Sequence, residues 1–112
     1  MDKLRTRRRI VLASTSRYRA DLLRRLLADF EQAAPDTDET PQAGEAPASR
    51  ALRLAIAKAT AVAADFDDAL VIGSDQVAAL DGAILRKPGS VEAAREQLGA
   101  SSGCVVHFHT AL

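Results

Sequence analysis

The sequence predicts an α/β fold: a partly parallel, mixed sheet flanked by helices, with an added β-hairpin. Short β-branched and apolar runs, Ile10-Val-Leu-Ala13 and Leu70-Val-Ile-Gly73, alternate with stretches of helical spacing. Asp81-Gly82 stands between Val77 to Leu80 and Ala83-Ile-Leu85, a two-residue hairpin signal because both residue types tolerate the positive φ of a type I′ turn. The length of 112 residues is that of one compact domain, which buries roughly two thirds of the surface its unfolded chain exposes.

Each element has a local reason. After the Ile10 strand, Ser14-Thr-Ser16 makes a tight turn, and Leu22, Leu23, Leu26 and Leu27 have helical spacing behind it. Ser16 can cap that helix by accepting from a free backbone N–H of its first turn. Residues 31–35 read as a second strand, and Asp36 to Pro47, rich in Pro, Asp, Glu and Thr, as a loop. From Ser49 to about Phe66 the pattern is helical, with Leu52, Ile56, Ala59, Ala63 and Phe66 on one face. Leu70 to Gly73 forms the next buried strand, Ser90 caps a helix through Leu98 with Gly99 near its end, and Cys104 to Leu112 is a last strand. Residues 1–112 thus read as a single domain. The chain stops at Thr110-Ala-Leu112 within an apolar strand, which predicts truncation at the C-terminus and weak activity of the piece alone.

Apolar residues make up 47% and charged residues 27%, the balance of a globular protein. No apolar run approaches the roughly 18 residues that span a bilayer, and Ile10 to Ala13 is too short for a signal peptide, so no membrane partner and a cytoplasmic location are expected. Cys104 is the single cysteine, which excludes an internal disulfide. Net charge is zero, but residues 1–30 hold nine Lys or Arg against three Asp, while residues 31–49 hold five acids and no base. The run Arg5, Arg7, Arg8, Arg9 is read as a solvated flank of the first strand, with no nucleic-acid partner called for.

Several residues stand out chemically. The turn Ser14 to Arg19 opens a helix, where unpaired N–H groups and the helix dipole favour an anion; plain capping is the competing and commoner reading. Asp75, with Gln76, interrupts two apolar runs, and a charge there requires a partner or a metal; a turn cap or a structural Arg partner is the alternative. Ligands of α/β sheets collect at the carboxyl ends of strands, and Asp75 follows such an end. Lys58 is the one charge in residues 54–64; it either snorkels to water, the usual behaviour, or neutralises a phosphate in a partly dry cleft. Lys87, before Pro88, is similar. Glu39 reads first as a loop acid and second as a metal ligand. His107 and His109 share one strand face without an evident third ligand, which favours two solvent-facing histidines.

Taken together, Leu12-Ala-Ser-Thr-Ser16 with Tyr18-Arg19, Asp38-Glu-Thr-Pro41, Lys58-Ala59, Ile72-Gly-Ser-Asp-Gln76 and Lys87-Pro88 resemble the Maf family in order and spacing, over the whole chain from about residue 9. The resemblance implies a Maf/ITPase-like mixed sheet, lacking the C-terminal portion of the family fold, and nucleotide pyrophosphatase chemistry with a divalent metal, Mg²⁺ or Mn²⁺. It implies that Ser14 and Arg19 hold the triphosphate and that Lys58 and Lys87 offset charge on the phosphates and the departing pyrophosphate. Glu39 and Asp75 would bind the metal, Asp75 also serving as general base. Tyr18 and Gln76 resemble the branch that hydrolyses 7-methyl-GTP, where the dTTP/UTP branch tends to show Arg and Thr. Methylation at nitrogen 7 makes guanine cationic, so a tyrosine face attracts it and an arginine repels it. Arg17 and Arg86 depart from the family pattern, standing where Pro and Gly are usual. Hydrolysis of dTTP or UTP, a non-catalytic nucleotide-binding or septum-associated role, and an inactive fragment are the competing readings; a homodimer is left open.

Overall fold

A computed structural model describes residues 8–112. Strand β1 (Arg9–Leu12) runs between β2 (Glu31–Gln32) and β3 (Ala69–Ile72) in a three-stranded parallel sheet, with Leu12 opposite both Gln32 and Ile72. Val11 and Ala13 are fully buried and meet Val62, Phe66 and Val71, so after Arg9 the chain from Ile10 to Ala13 is an uninterrupted apolar run, as a parallel strand covered on both faces must be. β2 stops short of the expected residues 31–35; Ala33 still donates to the Leu12 carbonyl, but Pro35 has no N–H to extend the ladder.

Of the basic run, Arg5 and Arg7 lie outside the described residues. Arg8 and Arg9 are exposed, as a solvated flank should be, but Arg9 is also paired: its guanidinium makes two bonds to Glu31, at 2.6 and 2.7 Å, and lies 5.0 Å from the Phe66 ring centre. It joins β1 to β2 by charge and covers the core edge by its plane.

Helix α1 (Arg17–Arg24) begins as expected, with Ser16 Oγ accepting from Arg19 N at 3.3 Å. It ends before Leu26 and Leu27, whose N–H groups both turn back to the Leu23 carbonyl, and Leu26 is left exposed. Helix α2 (Pro47–Ala63) opens on a proline, which loses nothing at a position whose N–H would be unpaired. Its buried face is Ala51, Leu54, Ala55, Lys58 and Val62, not the expected stripe: Leu52 is 49% and Ile56 56% exposed. The cause lies in Gly73. A Cβ there would come within 2.1 Å of the Ala55 carbonyl oxygen and 2.8 Å of Ala59 Cβ, so the helix meets Gly73 closely through Ala55 and Ala59, with Leu54 and Val62 buried on the same side and Leu52 and Ile56 outward.

Strand β4 (Asp75–Leu80) lies between β5 (Ala83–Leu85) and β6 (Val106–Ala111) in an antiparallel sheet. The strands therefore form two sheets of opposite kind, with the change of direction at Gly73-Ser74 and α2 packed against β3, β4 and β6. The hairpin is the expected one, with Asp81 at φ 50° and Gly82 at φ 80°. Ser90 Oγ caps α3 (Val91–Ser101) by accepting from Ala93 N at 3.1 Å; the helix continues through Gly99, and Gly103, at φ 73°, takes the turn into β6. No helix of the described residues is long and apolar enough to cross a membrane.

Candidate functional site

Because Leu12 and Ile72 are in register on parallel strands, the segments after them emerge side by side at one carboxyl edge. From β1 come Ser14 and Ser16, and from β3 come Ser74 and Asp75. Ser14 is buried, and its Oγ accepts from Ser16 N at 3.1 Å while its carbonyl accepts from Gln32 Nε2 at 3.1 Å. The capping role of Ser16 is thus observed. Each serine Oγ is an acceptor in the turn and retains an O–H to donate.

Asp75 and Lys58 are 7% and 9% exposed, with Nζ 2.8 Å from Asp75 Oδ1. Lys58 does not snorkel to water. It projects from the buried face of α2 to the start of β4, and the partner of Asp75 is this lysine and not an arginine or a turn amide. Burying either charge alone is costly, and the contact compensates both. Glu39 Oε1 lies 3.9 Å from the same ammonium, beyond hydrogen-bond length but within ion-pair range. Two carboxylates from distant segments therefore converge on one lysine. They are hard oxygen donors of the kind magnesium and manganese prefer, and two such donors suit a cation that completes its shell with water and phosphate oxygens. Among the described residues no cluster of three or more His, Cys, Asp or Glu could enclose a metal by itself.

A cleft of about 480 Å³ opens beside this cluster. Its polar lining includes Ser16, Tyr18, Arg19, Gln76, Lys87 and Thr110, and its apolar wall includes Leu22, Leu23 and Leu26. Successive residues of a strand face opposite ways, so Gln76 points into the cleft while Asp75 points toward α2. Gln76 Nε2 donates to Thr110 Oγ1 at 3.0 Å, its cross-strand partner on β6. Tyr18 is 72% exposed at the rim. No carboxylate of the described residues pairs with Arg19 or Lys87. The expected residues thus fall into two neighbouring groups, an ion cluster of Lys58, Asp75 and Glu39 and a cleft of Tyr18, Arg19, Gln76 and Lys87, with Ser14 in the turn between strand and helix.

Of the two departures from the motif pattern, Arg17 is exposed at the first position of α1 and the Arg86 carbonyl accepts from Gln97 Nε2 at 2.7 Å. His107 is exposed and His109 half-buried, with ring centres 6.5 Å apart.

Sequence reasoning misses the contacts that fix the Glu39 loop. Arg50 Nη2 donates to the Glu39 carbonyl at 2.9 Å, and Arg53 Nη2 to the Thr40 carbonyl at 3.3 Å. Arg53 also grips the Glu45 carboxylate through Nε and Nη2, and Arg50 Nη1 lies 3.7 Å from it. The Arg53 guanidinium holds the Glu45 carboxyl below the usual carboxylate range. Asp38 turns the loop by accepting from Thr40 N at 2.9 Å and from its hydroxyl, and those two bonds lower its carboxyl in the same way. A signal exists in the sequence: a loop of four acids without a base, followed directly by a helix with arginines one turn apart at 50 and 53.

Residues 9–112 match the model of a family described as Maf-like protein. The chain belongs to the Maf family. It is similar to curated Maf relatives named 7-methyl-GTP pyrophosphatase: that of Bordetella pertussis is 58% identical over 93% of this chain and 52% of its own length. The relative from Xanthomonas axonopodis pv. citri is 58% identical over 93% of this chain and 55% of its own length. For Cupriavidus pinatubonensis the figures are 54%, 93% and 52%. The chain spans about half the length of the curated relatives it matches. The motif resemblance and the mixed α/β architecture expected from it are thereby borne out.

Proposed function

We propose that this Maf chain carries the nucleotide-binding and proton-accepting part of a pyrophosphatase that hydrolyses 7-methyl-GTP to 7-methyl-GMP and pyrophosphate. The observation that carries the reading is the buried Lys58–Asp75 pair, approached by Glu39, beside a cleft that offers two cations paired with no carboxylate of the described residues, an aromatic face and an amide. The names of the relatives support the same reaction.

The chemistry follows from charge. A triphosphate repels a nucleophile, and cations that stabilise the developing charge lower the barrier by positioning and electrostatics. Arg19, with the α1 N-terminus and the hydroxyls of Ser14 and Ser16, takes the phosphates; Lys87 meets them across the cleft and steadies the departing pyrophosphate. Lys58 orients the Asp75 carboxylate and supplies positive charge near the reacting phosphorus. Asp75 accepts the proton of the attacking water. Glu39 and Asp75 are the residues to hold Mg²⁺ or Mn²⁺, which when bound neutralises phosphate charge and polarises the reacting bond. Tyr18 stacks on the cationic base, and Gln76 bonds its edge. The activity requires no partner beyond the nucleotide and fits a cytoplasmic enzyme.

The test is pyrophosphate release from 7-methyl-GTP, GTP, dTTP and UTP with Mg²⁺ or Mn²⁺. It is run on the chain and on a chimaera in which the chain replaces the matching half of one of its curated relatives. A metal-dependent preference for 7-methyl-GTP is expected. A preference for dTTP or UTP, or binding without release in the chimaera, would overturn the proposal.

A further inference from the structure

We propose that Arg50 and Arg53, braced against each other by Glu45, are positioning residues that hold the Glu39 carboxylate beside Asp75 and Lys58. The inference rests on the reading of Glu39 as a metal ligand and adds the reason why a loop residue can serve as one. Residues 36–46 contain no helix or strand, and a free loop of that length would place its side chains in many arrangements. Ordering it costs conformational entropy for every residue held. Here two guanidinium groups one helical turn apart take the carbonyls of consecutive residues, Glu39 and Thr40. The peptide that leaves Glu39 is thus held at both ends, its carbonyl by Arg50 and its N–H, that of Thr40, by Asp38 Oδ1, while Arg53 holds the next carbonyl, so the backbone on the C-terminal side of the Glu39 side chain is fixed.

Glu45 completes the brace. Its carboxylate is 8% exposed, is held by Arg53 through two bonds, and lies 3.7 Å from Arg50. It also sits just before α2, where a negative charge is favoured by the helix dipole. The planar guanidinium fork suits this double duty, since one Arg53 reaches a carboxylate and a carbonyl together; a lysine ammonium offers no such fixed geometry. Arg50 Nη1 is buried without a hydrogen-bond partner, so the side chain is held in place by its other contacts and by charge. Nothing in the brace touches the cleft or the Lys58–Asp75 pair directly, which separates its effect from that of the reacting groups.

The experiment uses the 112-residue chain and Mn²⁺ alone. Paramagnetic broadening of the Asp75 and Gln76 amide signals gives the local metal affinity, and hydrogen exchange of residues 38–45 gives loop order. Arg53→Met should raise exchange across the loop and weaken Mn²⁺ on the order of 10-fold or more, the usual cost of losing an outer contact to a ligand. Arg50→Gln and Arg53→Lys should show smaller changes of the same kind with a native circular dichroism spectrum, so misfolding of the first variant does not decide the matter. Glu39→Gln is the control that separates the two levels. If Glu39→Gln weakens Mn²⁺ and the arginine variants do not, or if loop exchange is unchanged in all three, the positioning role is overturned. If Glu39→Gln leaves Mn²⁺ unchanged, the ligand reading of Glu39 fails and the inference falls with it, even where exchange shows the loop released.

Discussion

Lys58 Nζ lies 2.8 Å from Asp75 Oδ1, and both residues are more than nine-tenths buried. The pair joins the middle of a long helix to the first residue of an antiparallel strand, so it is at once a structural contact and the centre of the proposed chemistry. Removing one partner strands a buried charge, and such losses cost about 3–5 kcal/mol. Lys58→Met should therefore destabilise the chain by roughly that amount, and adding Asp75→Asn should recover a large part of it. Urea denaturation of the two single variants and the double variant checks this. Additive losses would mean that the two side chains are not coupled.

Asp75→Asn separates chemistry from packing. The amide is nearly isosteric and still accepts from Lys58, but it is a poor general base. In the chimaera, kcat should fall on the order of 10² or more while the folded spectrum is retained. Near-normal turnover with unchanged metal dependence would return Asp75 to a structural role.

Gly73 makes the third prediction. Gly73→Ala places a methyl 2.1 Å from the Ala55 carbonyl oxygen and 2.8 Å from Ala59, both on a helix that cannot yield locally. The expected loss is about 1–3 kcal/mol or more. Gly89→Ala, with nothing within 4 Å of the added carbon, should change stability little. Equal denaturation midpoints for the two variants would contradict the close approach of α2 to the sheet.

Acid should release the Glu39 loop late. Glu45 has its carboxyl lowered by the Arg53 hydrogen bonds, and Asp38 by those from Thr40. A lowered folded value means that the stabilisation is fully present above the unfolded value and is lost as pH falls through the folded one. Hydrogen exchange of residues 38–45, corrected for its intrinsic pH dependence, should thus stay protected at about pH 4.3, the ordinary glutamate range, and lose protection only below it. Loss of protection at or above that pH would show that the brace does not hold these carboxylates.

The strand ends and turn motifs of this site are legible in the sequence because each is encoded locally. Ser16 caps within three residues, Asp81-Gly82 closes its own hairpin, and Asp75 announces itself as a charge in an apolar strand. The face of α2 is not legible from side-chain size. Leu52 and Ile56 look like the core, yet both are exposed while Ala51, Leu54 and Ala55 are buried, and the close approach of Ala55 and Ala59 to the sheet depends on Gly73, a residue outside the helix. Lys58 is misjudged for the same reason: with the stripe turned, a residue expected at its edge lies in its centre. The brace on the Glu39 loop depends on a loop folding back over the helix that follows it, a contact with no period and no motif.

Substrate choice is the last prediction, and the geometry of β4 is what makes it clean. Gln76 and Asp75 are adjacent in sequence but face opposite sides of the strand, and Tyr18 stands on the rim of the cleft, away from the ion cluster. Tyr18→Arg with Gln76→Thr therefore changes the wall proposed to bind the base without touching Lys58, Asp75 or Glu39. Threonine at 76 also gives up the bond to Thr110 that holds the present amide in place. A cationic ring stacked on tyrosine gains about 0.5–2 kcal/mol, and an arginine in its place repels the same ring. The ratio of kcat/KM for 7-methyl-GTP over dTTP or UTP should fall by about tenfold or more, with total activity largely retained, because the phosphate contacts proposed for Ser14, Arg19 and Lys87 would remain. Kinetics of the chimaera and its double variant on the three nucleotides decide the question. Uniform loss on all three would place the two residues in folding or catalysis, and an unchanged order of substrates would remove them from base recognition.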